Sequence, residues 1–439
     1  MSGAVPDETP TPADSQDIEH ADERGPLARL AVDTRPLRES RNFRLLWSGQ
    51  AISFLGSEIS LVAIPYQMFQ LTHSTLSVGL ISLVELGPLL ACALAGGAIA
   101  DAFDRRRLIL VTEAGVAVVS AGLVANALLD HPRTWVLYVL AALGTAGWSL
   151  GAPAMRSLAP RLVTEEQLPA AMALEGIYSN FGAVAGPAFG GILIAAVGLP
   201  ATYGIDVVTF AASLVTVWRL PAAPPVPDAE RASARSLLEG LRYVRRRRVL
   251  LAIFLVDTNA MIFGMPSSLF PAIALERFHA GATVVGFLYA APYAGALVAS
   301  VLSGWTGRMR RQGLAVALAA ACWGAALIAF GFANALWLAL LMLAAAGAAD
   351  AVSAILRSTI LFTASPDSMR GRLSGIELAQ VVSAPTLGNA EAGVVAAFTS
   401  LRFSIVSGGI ATVLGSALIA LAVPALVRYD ARNPESETG

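Results

Sequence analysis

Apolar residues run along this chain in long unbroken stretches rather than in the stripe of a helix with one wet face. Residues 78–100, VGLISLVELGPLLACALAGGAIA, hold a single charge at Glu85; residues 313–346 hold none and suffice for two crossings joined by a turn at Asn334. A helix needs roughly 20 apolar residues to cross the hydrocarbon core of a bilayer. Helices are favoured there because each satisfies its own backbone hydrogen bonds. Apolar runs bounded by turn residues predict spans near 43–70, 76–100, 108–129, 134–157, 170–197 and 202–220, then 249–275, 283–305, 314–332, 335–363, 373–398 and 403–427. The break at 221–248 opens as the proline-rich, charged PAAPPVPDAERASA and continues as SLLEGLRYVRRRR. Leu237, Leu238, Leu241 and Val244 share one helical face there, which predicts an amphipathic helix on the membrane surface with its arginines toward lipid phosphates. The expected plan is an all-α membrane protein: a disordered acidic tail over 1–40, six-helix bundles over 41–220 and 249–428, the linker between them, and a tail over 429–439.

Composition agrees with this plan. Of 439 residues, 56% are hydrophobic and 14% charged, too few charges to cover a soluble surface. The first 23 residues carry seven acids, no base and no apolar core, unlike a signal peptide; without them the net charge moves from −1 to about +6. All 30 basic residues are arginine, and their placement sets orientation. One set of connections carries Arg105 to Arg107, Arg161, Arg245 to Arg248, Arg308, Arg310, Arg311, Arg370 and Arg372, beside both tails; the other carries Arg133, Arg277 and Arg402. The basic set is expected in the cytoplasm with both termini, which an even number of spans permits. Cys92 and Cys322 fall inside apolar runs, which disfavours a disulfide framework.

The two halves repeat. Val78-Gly79 and Gly97 recur as Val285-Gly286 and Gly304, 207 positions on, and Arg156-Ser157 recurs as Arg357-Ser358, 201 positions on. Two parallel six-helix halves around a central cavity is an established plan for carriers.

The loop after the second span, GGAIADAFDRRRL, resembles the signature loop of the major facilitator superfamily through Gly97, Asp101, Arg105 and Arg106. In that resemblance Gly97 permits close helix approach, and Asp101 pairs with an arginine or a helix N-terminus in a latch that breaks when the halves rock. Asp104 stands where the family has glycine, and the second copy, SGWTGRMRRQG, has Arg308 in place of the aspartate. Further segments narrow the resemblance: RNFRLLWSGQAISFLGSEISLVAIPYQ, LTHSTLSVGL, SLLEGLRYV, FPAIALERF, VGFLYAAPYAGALVASVLSG and SPDSMRGRLSG are similar to the branch containing enterobactin and macrolide exporters. Over residues 36–427 that resemblance implies siderophore or multidrug efflux by proton antiport. WVLYVLAALGTAGWSLG lacks the mid-membrane arginine of drug:proton antiporters, so that motif's proton relay is not carried over.

The fifth span holds Gly182, Gly186 and Gly190 at four-residue spacing with Pro187, which reads either as a close helix-packing stripe or as the Gly-Pro element of exporters. Four acids fall within spans: Glu58, Glu85, Asp257 and Asp350. Each costs roughly 2.5–3.5 kcal/mol at mid-bilayer, so each faces a cavity or a partner. A carboxyl there either couples protons or holds helices together by pairing with Arg156, Arg357 or a hydroxyl. Gln50, Gln67, Tyr178, Asn180, Tyr289 and Tyr293 either line the cavity or make interhelical contacts. TEEQ at Thr164–Gln167 and the segment Ser365-Pro366-Asp367 read as helix caps.

No enzyme constellation stands out. His20, His73, His131 and His279 have no metal-ligand spacing, and a chain without lysine has no GxxxxGK[ST] phosphate loop. The arginine run 245–248 beside a span reads as topology, not nucleic-acid binding. The expectation is a monomeric secondary exporter in the bacterial cytoplasmic membrane, without cofactor or metal, whose partners are the lipid bilayer, protons and a small amphipathic substrate. Its rivals are a nutrient importer or facilitator on the same fold and a transport-inactive sensor or scaffold.

Overall fold

The computed structural model describes residues 33–224 and 234–430. Most of both predicted tails and the proline-rich start of the linker lie outside the described residues, as does the side chain of Leu237. Residues 33–40, assigned above to the disordered tail, are ordered: Arg35–Glu39 forms one helical turn, and the Ser40 hydroxyl caps the next helix by accepting from Phe43 N at 3.1 Å.

The long helices are α1 (Arg41–Thr72), α2 (Thr75–Ala102), α3 (Arg105–Ala127), α4 (Thr134–Leu158) and the stretch Leu168–Trp218. At 1.5 Å per residue its 51 residues would extend more than twice the hydrocarbon thickness of about 30 Å. The chain folds back at Gly198, whose φ of +79° suits a residue without Cβ. Contacts with α1 demonstrate the reversal. Gly182 faces Phe54 and Gly186 faces Glu58, so residue numbers rise together; beyond Gly198, Tyr203 bonds Gln67, Asp206 bonds Ser60 and Ser213 approaches Gln50, so they run oppositely. Residues 168–197 are α5 and 199–218 are α6.

The second half comprises α7 (Ala234–Arg246), α8 (Arg248–Phe263), α9 (Ala282–Val301), α10 (Gln312–Phe332), α11 (Leu336–Thr363), α12 (Asp367–Phe398) and α13 (Leu401–Ala422). Ten stretches are long and apolar enough to cross a membrane, one of them the folded pair α5–α6. With the more polar, 32-residue α12, they accord with the twelve expected crossings. No strand occurs among the described residues. The seventh crossing departs from the expected continuous span: α8 stops at Phe263, and the chain continues through a 3-10 turn, Ser267–Leu269, and one π turn, Ile273–Arg277. The expected caps also differ. Glu165–Gln167 is a separate 3-10 turn to which Thr164 offers no side-chain bond, and the Ser365 hydroxyl donates back to Leu361 O. Short hydroxyl side chains often prefer the preceding carbonyl to a cap.

Helix α7 lies against α12. Gly240 packs on Arg372 and Ile376, Glu239 pairs with Arg372 at 3.1 Å, and Val244 is buried. The linker helix is therefore seated on the second half.

The core is uneven along the helix axes. At one end, Val62, Phe69, Val78 and Ile194 of the first half join Leu269, Phe270, Val285 and Leu288 of the second in one buried cluster. At the arginine-rich end the first half keeps a separate cluster around Phe43, Leu108, Leu158 and Leu174. The halves are fused at the arginine-poor end and separate at the other.

Candidate functional site between the halves

Two helix crossings make the fused end. Gly79 of α2 meets Gly393 of α12, and Gly286 of α9 meets Gly191 of α5. A Cβ on Gly79 would stand 3.0 Å from Gly393 Cα, tighter than most real Cβ contacts, and one on Gly286 would stand 2.9 Å from Gly191 Cα, closer than real Cβ atoms sit. Thr75 adds a bond from its hydroxyl to Gly393 O at 3.3 Å. Gly79 and Gly286 are the repeated pair of the sequence, so the same device is used twice. At the arginine-rich end, a Cβ at Gly97, Gly304 or Gly371 would meet nothing within 4 Å. The halves thus meet closely at one end, while their buried cores stay apart at the other. Gly97, expected at a close approach, makes none here; its neighbour Gly96 does, against the backbone of Ser149 and Leu150.

Between the halves, α9 presents Tyr289 and Tyr293 on one face, four residues apart. Tyr289 lies within electrostatic reach of Glu85 on α2, and Tyr293 within reach of Glu58 on α1 and Asp350 on α11. Tyr293 is 41% exposed amid these four helices, so its exposure is to the space between the halves. Glu85 also lies close to the Thr145 hydroxyl of α4. Glu58 Oε2 is buried with no hydrogen-bond partner among the described residues. The structure therefore gathers five residues from distant parts of the chain, Glu58, Glu85, Tyr289, Tyr293 and Asp350, at mid-depth.

Asp257 belongs to an adjoining network within the second half. It forms a buried ion pair with Arg357, and Gln380 Nε2 donates to Asp257 Oδ2 at 3.1 Å, to Thr258 Oγ1 and to Phe254 O. Arg357 also faces Asp350, which links this network to the central group. Arg156, its counterpart in the first half, is exposed and faces Glu175.

Several other candidates are occupied inside the first half. Gln50 Nε2 donates to Glu113 Oε1 at 2.6 Å, and the Tyr203 hydroxyl donates to Gln67 Oε1 at 2.9 Å. Asn180 Nδ2 bonds back to Gly176 O at 2.7 Å. Tyr178 packs edge-on against Trp47 and Phe54. Gly182, Gly186 and Gly190 seat α5 on Phe54, Glu58 and Ile59 of α1, and Pro187 is buried beside them.

Two buried carboxylates escaped the sequence reading. Glu113 on α3 accepts from Gln50 and from Ser213 at 2.9–3.0 Å; Asp206 on α6 accepts from Ser60 and Ser120, each at 2.8 Å. Both stand near the ends of apolar runs, a signal of the same kind as the four acids that were singled out.

The signature loop is held by the first half and the start of the linker. Arg105 Nη2 stands 3.9 Å from Asp101 Oδ1, while its Nε donates to Ser157 Oγ at 2.7 Å; Arg106 Nε donates to Val217 O at 3.2 Å. Asp104, the departure from the family pattern, caps α3 through Arg107 N and accepts from Ala223 N at 2.9 Å. It therefore anchors the start of the linker, a role glycine has no side chain to fill.

The whole described body corresponds to known carriers. Residues 32–438 match the family model described as transmembrane secretion effector, of the major facilitator type. The chain is 30% identical over 393 residues to the enterobactin exporter EntS of Shigella boydii, covering 90% of this chain and 94% of that one; EntS of Escherichia coli O81 matches equally. The nucleoside transporter NupG superposes with a TM-score of 0.69 at 12% identity, covering 89% of this chain and all of NupG. A bacterial homologue of the lysosomal transporter Spinster, in an inward-facing, unoccupied conformation, gives 0.68 at 15% identity over 88% and 97% of the two chains. Length, repeat, helix order and sequence agree, and the chain is a multi-pass membrane transporter of the major facilitator superfamily, in its transmembrane secretion effector family.

Proposed function

We propose that this transporter exports a small amphipathic molecule, of the siderophore or drug class, from the bacterial cytoplasm by exchange for protons, with the arginine-rich face and both termini in the cytoplasm. The observation that carries this reading is the group of Glu58, Glu85 and Asp350 with Tyr289 and Tyr293, drawn from both halves into the space between them. Carboxyls at that depth are costly unless they face a cavity or a partner. Glu58 has an oxygen that no donor occupies, where a proton is carried without displacing a structural bond. Each group reports to both halves, so protonation or cargo binding biases the rocking equilibrium. The 30% identity to an enterobactin exporter favours efflux over uptake.

Everted vesicles containing the protein, loaded with a pH dye and given an acid interior, test this directly. Enterobactin-type siderophores or amphipathic drugs should cause proton release, and Glu85→Gln should abolish it while cargo binding persists. Intact release in Glu85→Gln places coupling on another carboxyl. Proton-linked uptake by right-side-out vesicles without efflux would establish an importer, and silence with every cargo a scaffold. Asp101→Asn, which removes the charge facing Arg105, should slow transport several-fold at unchanged membrane abundance.

A further inference from the structure

The lipid-facing side of the second half carries a groove that the transport cycle does not use. Helices α9 and α10 both pack on α11 and scarcely touch each other, which leaves a trough between them floored by α11. Its volume is about 650 Å³, and Leu302, Leu314, Leu318 and Val352 line it. Leu302 and Leu318 are more than half exposed, so the trough opens sideways toward the bilayer rather than inward. At its arginine-rich mouth stand Trp305, Arg310 and Arg311, all exposed. No carboxylate lines the groove, and neither Arg310 nor Arg311 has an acidic partner among the described residues.

We propose that this groove binds one anionic phospholipid, with its acyl chains in the trough and its phosphate on Arg310 and Arg311. Three features of the site match the three parts of such a lipid. The apolar trough accepts chains, the indole of Trp305 occupies the headgroup level where amphipathic rings settle, and two unpaired guanidiniums present the planar donor fork that fits phosphate oxygens. Anionic lipid at a membrane surface is attracted to each such arginine. The position gives the lipid a role. The first-half loop carries its own negative charges, Asp101 facing Arg105 and Asp104 capping α3, whereas the corresponding turn, Ser303 to Arg311, contains no acid. A bound phosphate supplies that missing charge, so the lipid completes the second copy of the loop.

The test uses the full chain in phosphatidylcholine vesicles doped with a small fraction of lipid brominated on its acyl chains, either phosphatidylglycerol or phosphatidylcholine. Bromine quenches nearby indoles, and the difference between the parent and Trp305→Phe isolates the Trp305 signal. Brominated phosphatidylglycerol should quench that component roughly tenfold more per mole than brominated phosphatidylcholine. Arg310→Gln with Arg311→Gln, both on exposed positions, should remove the preference and leave folding intact. Equal quenching by the two lipids, or a preference that survives the double substitution, overturns the proposal.

Discussion

Gly286→Leu is expected to cut transport by about fivefold or more while the protein still reaches the membrane. The Cβ alone would stand 2.9 Å from Gly191 Cα and 3.0 Å from Gly191 N, and the Pro187 carbonyl lies on the same side. The three nearest atoms are all backbone of α5, so no flexible side chain can give way and α5 and α9 must separate. Overpacking of this kind costs about 1–3 kcal/mol, and the cost falls on the one arrangement in which these helices touch. A bias of that size on a two-state equilibrium shifts populations roughly 5–150-fold. The arrangement closed at the arginine-poor end is thereby depleted. In a background with Cys92 and Cys322 replaced, a cysteine at Thr75, beside the second glycine crossing, should then react faster with an impermeant maleimide added outside. Gly304→Leu is the control, because a Cβ there meets nothing within 4 Å. Normal transport by Gly286→Leu would show that the glycine crossings do not form the closed end of the cycle.

Arg357→Ala is expected to be the most destabilising single change in the central network, by about 3–5 kcal/mol, because it strands a buried carboxylate. Asp257 is only 4% exposed, and after loss of its cation it would keep one Gln380 bond at 3.1 Å. Asp257→Asn combined with Arg357→Gln should recover most of that loss, since removing both charges also removes their desolvation. Thermal unfolding of the detergent-purified protein compares the two. If the double substitution unfolds as early as Arg357→Ala, the ion pair itself, rather than the stranded charge, holds α8 to α11. Transport by the double variant then separates roles: retained coupling assigns Asp257 to structure and leaves the proton to Glu58, Glu85 or Asp350.

The acids show how far local pattern reaches. Glu58, Glu85, Asp257 and Asp350 were visible because a charge in an apolar run is costly wherever it falls. The same logic applied to Glu113 and Asp206, yet their hydroxyl partners were not predictable. Ser60 and Ser120 lie 146 and 86 residues from Asp206, and nothing in a serine's local sequence announces such a bond. Gln50 and Gln67 had the opposite fate. Both are polar residues on a span, but their amides are engaged by Glu113 and Tyr203 within one half rather than turned to the cavity. Tyr289 and Tyr293, four residues apart, share a helix face by periodicity alone, but which half they would confront was not in that periodicity.

The sequence by itself determined the membrane class, the approximate crossings, the twofold repeat and the arginine asymmetry between the two ends. These are legible because the bilayer acts on each segment separately: a span must be apolar over its own length, and arginine is sorted loop by loop. Tertiary structure alone decided which carboxyls gather between the halves and which are absorbed into bonds within one half. It alone decided that the repeated glycines at 79 and 286 become backbone crossings at one closed end, while Gly97 and Gly304 face open space. Those outcomes depend on how whole helices pack across separations of 90 to more than 300 residues, where the energy lies in paired surfaces and neither partner carries it alone.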